Sequence, residues 1–298
     1  MIKKSFRILL FFLLGVSAQA QEVNKEKEES NLQKFTPAIL FKPGDWNLLF
    51  FNSIYSQTKI SDRDGNKLPL DHRASFLNSF LEFSIGIHPK INIGAEIRYN
   101  RTAIDPADGS LLQVLSNSEG ISYRSDLTLF GPKIRWQPFQ TISTFSIQST
   151  FLLPIAKSLE SPIFINHDRY QWYTQLFYDH AFSSKFRTFI DIGILYQFNR
   201  NSSTSGDILR LPISLFINYF PLSKVSLFGF IQYSPLFSTI SNETTSIYGL
   251  TAWYTQLGLG VKYQILPKLG FDVSYGNLIL SRNEGAGSNI NFGMRFIH

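Results

Sequence analysis

Cysteine is absent from the 298 residues. That excludes disulfides, a thiolate metal site, a cysteine nucleophile and a lipid anchor on an N-terminal cysteine. Charge is scarce: Asp, Glu, Lys and Arg make up 17%, against about a quarter in ordinary soluble domains. The formal net charge is +6, but Lys3, Lys4 and Arg7 crowd into the first seven positions and account for half of it. No basic run is left that would argue for nucleic acid. Past the first twenty residues no apolar run approaches the ~18 residues of a membrane-crossing helix. Local chemistry is thin as well. The histidines are scattered: His72 and His167 in expected long loops, His88 and His180 at or near short turns, His298 at the end. None sits at a metal-ligand spacing or beside a serine and an acid. "DRDGNKLPLD" (62–71) lacks the downstream Glu of a calcium loop. The sequence therefore predicts no enzyme, no cofactor and no metal.

The N-terminus carries its own signature. "MIKKSFR" is a basic segment, "ILLFFLLGV" a short apolar one, and "AQA" ends at Ala20 with small residues two apart. This is the pattern of a secretory signal cut after residue 20, which directs the chain to a bacterial envelope. Residues 21–44 begin with mixed charges and read as a polar periplasmic tail. The remaining 45–298 form one domain.

That domain alternates. In "INIGAEIRYN" (91–100), Ile91, Ile93, Ala95, Ile97 and Tyr99 share one side of a strand, while Glu96 and Arg98 share the other. "KFRTFIDIGILYQFN", "LRLPISLFINY" and "WYTQLGLGVKYQI" repeat the pattern over more than ten residues. Soluble strands usually stop near five or six, whereas a tilted bilayer-crossing strand needs about 9–11. The connectors alternate too. Short ones lie at 88–90, 137–140, 182–185, 221–224 and 266–268. Longer polar stretches lie at 59–72, 103–123, 155–168, 201–207, 236–248 and 282–287. Five short turns and six long loops join twelve strands with both ends on the short-turn side. The expected fold is an all-β, antiparallel, up-and-down transmembrane β-barrel of the bacterial outer membrane. One strand, "SDLTLFGPKIRWQP", changes parity between Leu129 and Ile134, and Gly131 and Pro132 are the expected bulge residues.

Projecting each strand gives a charged interior: Glu82, Glu96, Arg98, Arg187, Asp191, Arg210, Lys262, Asp272 and Arg295, joined by Lys133 and Arg135 if the slip holds. Gln148, Gln175, Gln197, Tyr254 and Gln256 add neutral polar groups, and Phe189, Phe216 and Phe228 also point inward. These residues either line a passage for a solute or fill a narrow bore with an internal salt-bridge network. Twelve strands fall between filled eight-stranded barrels and open porins, so both readings stand. Trp46, Trp136, Trp172, Trp253, Tyr196 and Tyr219 face outward near strand ends, as interfacial anchors do.

The final stretch "INFGMRFIH" is similar to the C-terminal recognition strand of outer-membrane proteins, with Asn291, Gly293 and Phe296 at the matching positions and His298 in place of a terminal Phe. Together with "FGPKIRWQPF" (130–139), the chain resembles outer-membrane transporters associated with phenol degradation. The resemblance implies a transport role and transfers no site residue. The partners expected are membrane lipid, a small solute, and the outer-membrane assembly machinery acting through the last strand. The alternatives are a non-conducting structural or secretion-complex barrel, with 103–123 and 236–248 as contacts, and a lipid-acting enzyme.

Overall fold

The computed structural model describes residues 38–117, 121–139, 141–200, 206–241 and 246–298. The expected signal and most of the expected tail lie outside them. Thirteen strand segments follow in order: β1 Trp46–Ser61, β2 Lys67–His88, β3 Ile91–Pro106, β4 Ser122–Trp136, β5 Phe145–Pro154, β6 Arg169–Ala181, β7 Phe186–Asn199, β8 Ile208–Arg210, β9 Ile213–Leu222, β10 Val225–Ser241, β11 Ser246–Leu266, β12 Leu269–Arg282 and β13 Gly285–Ile297. β8 and β9 are one stave. Their register against β7 runs unbroken from Leu195↔Arg210 to Ile192↔Ile213. The ladder is interrupted at Pro212, which has no N–H to donate; its carbonyl still accepts from the Gly193 N–H at 2.7 Å. Twelve antiparallel staves result. β1 pairs with both β2 and β13, so the sheet closes on itself. Closure leaves no strand edge, and in hydrocarbon each orphan backbone group would cost several kcal/mol.

The alternation is inside-out. Ile93, Ile192 and Leu257 are 42%, 37% and 52% exposed on the outer surface, while Glu82 and Glu96 are each 4% exposed inside. A soluble protein could not keep that arrangement; lipid makes it favourable. The outer strand ends carry the expected aromatics. Trp46 lies 5.4 Å from the ring of Phe296 and stacks on His298 at 5.4 Å, and His298 N–H donates to the Trp46 carbonyl at 2.8 Å. The terminal imidazole thus supplies the flat ring that a Phe would give to this seam.

Three sequence expectations need correction. First, the parity change in β4 falls at Thr128, between the pairs Tyr99↔Leu127 and Arg98↔Leu129, and Gly131 stays in register with Glu96. Thr128 is held there by its hydroxyl, 3.4 Å from the Arg98 carbonyl and bonded to Asn100. Lys133 and Arg135 still face inward because the slip precedes them. Second, several long polar connectors are mostly strand. β1 and β2 run on to a turn at 62–66, and β12 and β13 meet across Asn283 and Glu284. Polar composition reports contact with water, and a hairpin arm above a membrane has water on both faces. Third, the stretch after β3, read as a polar connector, carries an apolar strap. A 3-10 helix, Leu111–Leu115, is started by the Ser110 hydroxyl accepting from Leu112 N–H, and it lies on the outer wall. Val114 is fully buried there against Ile54, Leu77 and Ala103. Arg101 ties the strap down, donating to Asn117 Oδ1 at 2.8 Å and lying 4.1 Å over the Tyr123 ring.

The chain just before β1 is also placed. Pro43 bridges Gly86 in parallel, and Gly44 N–H donates to the Gly86 carbonyl at 2.9 Å. Gly86 shares the inward parity of Glu82 and Ser84. A Cβ on it would sit 2.2 Å from the Lys42 carbonyl oxygen, so glycine is what lets this segment lie against the inner end of β2.

Candidate functional site

Inside the barrel, in the half nearer the short turns, lies a cavity of about 540 Å³. That is the size range of small-molecule sites. It has two unlike walls.

The first wall is ionic and spans β2–β4. Register places Glu82 of β2 directly beside Glu96 of β3. Two neighbouring enclosed carboxylates repel unless a cation separates them. Lys133 of β4 does so, its Nζ 2.5 Å from Glu82 Oε2 and 2.5 Å from Glu96 Oε2. Arg98 Nε pairs with Glu96 Oε1 at 2.6 Å, Ser84 donates to Glu82 Oε1 at 2.9 Å, and an Arg135 Nη stands 4.0 Å from Glu82. From Arg135 a chain of amides runs onward. Arg135 Nε donates to Gln148 at 2.9 Å, Gln148 to Gln175 at 3.0 Å, and Gln175 to Asp191 at 3.0 Å.

The second wall is aromatic and spans β6–β10. Phe177 and Phe189 lie 5.7 Å apart, Phe189 and Phe216 5.8 Å, and Phe216 and Phe230 5.5 Å. Phe228 closes the row 6.3 Å from both Phe216 and Phe230. The sequence makes room for these rings with inward glycines on β11. A Cβ on Gly258 would meet the Phe230 ring at 2.4 Å, and one on Gly260 the Phe228 ring at 2.3 Å. "LGLGVK" therefore alternates leucine outward to lipid with glycine under a phenyl ring.

Eight of the nine charged residues predicted for the interior border this cavity: Glu82, Glu96, Arg98, Arg187, Asp191, Lys262, Asp272 and Arg295. Lys133, Arg135, Gln148, Gln175, Phe189, Phe216 and Phe228 join them. Arg210 does not. It lies toward the long-loop end, bonded to Glu284, 3.3 Å from the Ser234 hydroxyl and 5.6 Å over the Tyr254 ring. Gln197, Tyr254 and Gln256 also stand off the cavity; Tyr254 donates to Gln232 at 3.0 Å and Gln256 to Asn289 at 2.6 Å. Asp179 was not anticipated, and it receives Arg187 Nε at 3.0 Å. Its signal was present: it continues the inward parity of Gln175 and Phe177. Among the described residues no three His, Asp or Glu side chains gather as metal ligands.

The long-loop mouth is partly covered from within. The segment 155–168 turns inward, burying Leu159 and Ile165. Arg124 of β4 gathers its carbonyls, donating to Lys157 at 3.0 Å, to Ile163 at 3.1 Å and to Ser161. Asn166 donates to Asn100 at 3.3 Å, and His167 Nδ1 is 3.4 Å from Glu160. Burial and the nearby cations Arg169 and Arg210 hold the His167 imidazole below its ordinary pKa, with Glu160 pulling the other way.

No protein-family model and no curated protein matches the chain. Solved structures do. An outer-membrane channel from Pseudomonas putida F1 superposes with a TM-score of 0.60 at 9% identity, over 93% of this chain and 100% of that one. The β-domain of the Bordetella autotransporter BrkA does so with a TM-score of 0.53 at 9% identity, over 85% of this chain and 98% of that one. So little identity speaks to architecture and not to activity. The chain has the fold of a bacterial outer-membrane β-barrel, with its apolar belt in lipid and its charges enclosed.

Proposed function

We propose that this barrel is a passive route for a small solute across the outer membrane. The observation carrying the reading is the central cavity: about 540 Å³ of space inside a lipid-facing cylinder, bordered by ionisable side chains from most of its staves. A barrel kept only for structure gains little from an unfilled interior that carries charges on one side, because apolar packing is often at least as stable as a buried ionic network. In this reading Glu82, Glu96, Arg98, Arg187, Asp191, Lys262, Asp272 and Arg295 set the field along the path, and Arg210 acts at the outer entrance. The solved channel from Pseudomonas putida F1 has a similar architecture and supports the same reading.

The test is conductance. Folded protein from detergent, reconstituted into planar bilayers and liposomes, is expected to give discrete current steps and solute-dependent swelling. Neither current nor flux from protein that shows heat-modifiable migration would overturn the proposal. A second reading has its own observation. The 155–168 segment folds inward at one mouth and 41–43 lie against the inner end of β2 at the other, which suits a closed barrel with a structural or secretion role. Silent bilayers together with a stoichiometric co-purifying partner would favour it.

A further inference from the structure

The two walls of the cavity differ in what they leave unsatisfied. On the ionic wall each carboxylate has a cation at hand: Glu82 and Glu96 share Lys133, and Glu96 also holds Arg98. The far edge of the aromatic wall is different. Lys262 follows the inward glycines of β11 and points into the same cavity. Its register partner is Asp272 on β12. Yet Asp272 turns to the neighbouring stave and occupies the space beside Gly293, where a Cβ would meet its Oδ1 at 2.3 Å. Among the described residues no carboxylate pairs directly with Lys262, and Asp272 and Asp179 act on it only from farther off. Its ammonium instead sits 5.2 Å over the ring of Phe228. At the other end of the same aromatic row, Arg135 lies 5.4 Å over the ring of Phe177. A flat apolar surface is thus bracketed by two cations, one of them without a directly paired carboxylate. Around the cavity as a whole, seven Lys and Arg side chains face five Asp and Glu.

A cation set over a phenyl ring with no anion in direct contact is an incomplete pair. The group that completes it carries one negative charge and an apolar body flat enough to lie against Phe216 and Phe228. We infer that the cavity is a binding site for small amphipathic monoanions of the aromatic-carboxylate class, with Lys262 taking the carboxylate and the phenylalanine row taking the ring. The inference rests on the channel reading for its physiological sense, but the site itself is measurable without transport.

The test uses the full barrel in nanodiscs, with benzoate, benzyl alcohol, benzylamine and hexanoate titrated by calorimetry. Benzoate is expected to bind about tenfold tighter than benzyl alcohol, the size of one enclosed charge-assisted contact. Benzylamine should bind more weakly still, and hexanoate should fall between benzoate and benzyl alcohol. Lys262→Met is expected to remove the preference for benzoate while leaving benzyl alcohol unchanged, and Lys262→Arg to keep it; heat-modifiable migration identifies folded variants. Equal binding of benzyl alcohol or benzylamine and benzoate, no benzoate binding, or an unchanged benzoate affinity in folded Lys262→Met would each overturn the inference. Benzoate binding by a barrel that passes no current overturns the channel reading alone. Current without benzoate preference overturns this inference alone.

Discussion

On β2–β4 the lumen is occupied by charges that neutralise one another, and on β6–β10 by phenyl rings that stack. Both arrangements narrow the same bore, and they do it with opposite risks. The ionic wall is cooperative: Lys133 stands between two adjacent carboxylates, and without it Glu82 and Glu96 face each other in an enclosed space. The aromatic wall is modular, since each ring touches only its nearest neighbours and the loss of one leaves the others in place. The contrast teaches that pairing with fixed partners and packing among interchangeable ones are placed on different staves. Ion pairs tie particular residues of β2, β3 and β4 together, and a run of rings on β6–β10 leaves one face to the cavity.

The sharpest way to break this contrast is at Lys133. Lys133→Met is expected to destabilise the barrel by about 3–5 kcal/mol, the usual cost of breaking a buried pair from one side. Urea unfolding monitored by heat-modifiable migration reads it. The triple change Glu82→Gln, Glu96→Gln, Lys133→Met should recover most of that loss; if it does not, the charges are not the cause.

A smaller effect is expected where a cation meets carbonyls instead of carboxylates. Arg124→Ala removes the donor that gathers Lys157, Ser161 and Ile163. Losing a charged donor to an ordered segment costs about 2 kcal/mol. Hydrogen exchange at 155–166 should accelerate accordingly while the strand amides stay protected.

Next comes the aromatic wall. Phe216→Ala removes a ring that contacts Phe189, Phe228 and Phe230. The expected loss is about 1.5 kcal/mol, the low end for three ring–ring contacts worth ~0.5–1.5 kcal/mol each, because the site is open to the cavity on one side. Single-channel conductance should rise as the bore widens. A loss as large as that of Lys133→Met would erase the distinction between the walls.

The weakest effect is a pH dependence at the mouth. The folded chain holds the His167 imidazole below its usual range, chiefly by burial. It therefore binds fewer protons folded than unfolded, and its contribution to loop stability is present above the ordinary imidazole pKa of about 6.5 and fades as pH falls below it. Exchange at 155–166, corrected for intrinsic rates, should quicken between pH 7.5 and 5.5. His167→Gln should flatten that dependence.

Much of this was legible from alternation alone. A period of two fixes which face a residue occupies, so Glu82, Glu96, Arg98, Lys262 and Asp272 could be assigned to the interior one strand at a time. Neighbours across strands could not. That Glu82 abuts Glu96, or that Lys133 reaches both, depends on register between staves, and single-strand periodicity carries no register. Arg210 stands toward the long-loop end beside Glu284 and Ser234, a height that single-strand periodicity does not carry. Gly131 and Pro132 have the conspicuous backbone chemistry, yet the bulge sits at Thr128, whose hydroxyl finds two oxygens across the ladder. The strap on the outer wall had a readable clue: Leu111, Leu112, Val114 and Leu115 are too apolar for a loop that meets only water.

The seam between β1 and β13 carries a consequence for how such a molecule comes into being. Asn47 pairs with Ile297 and Ile54 with Ile290, so contacts that shut the ring join residues some 240 positions apart. No early fragment can close. Until β13 arrives, two raw edges with unmet N–H and C=O groups stand open, able to zip onto any passing strand. Assembly of this cylinder is in effect all or nothing, because the pairing that β1 opens is completed by β13 alone.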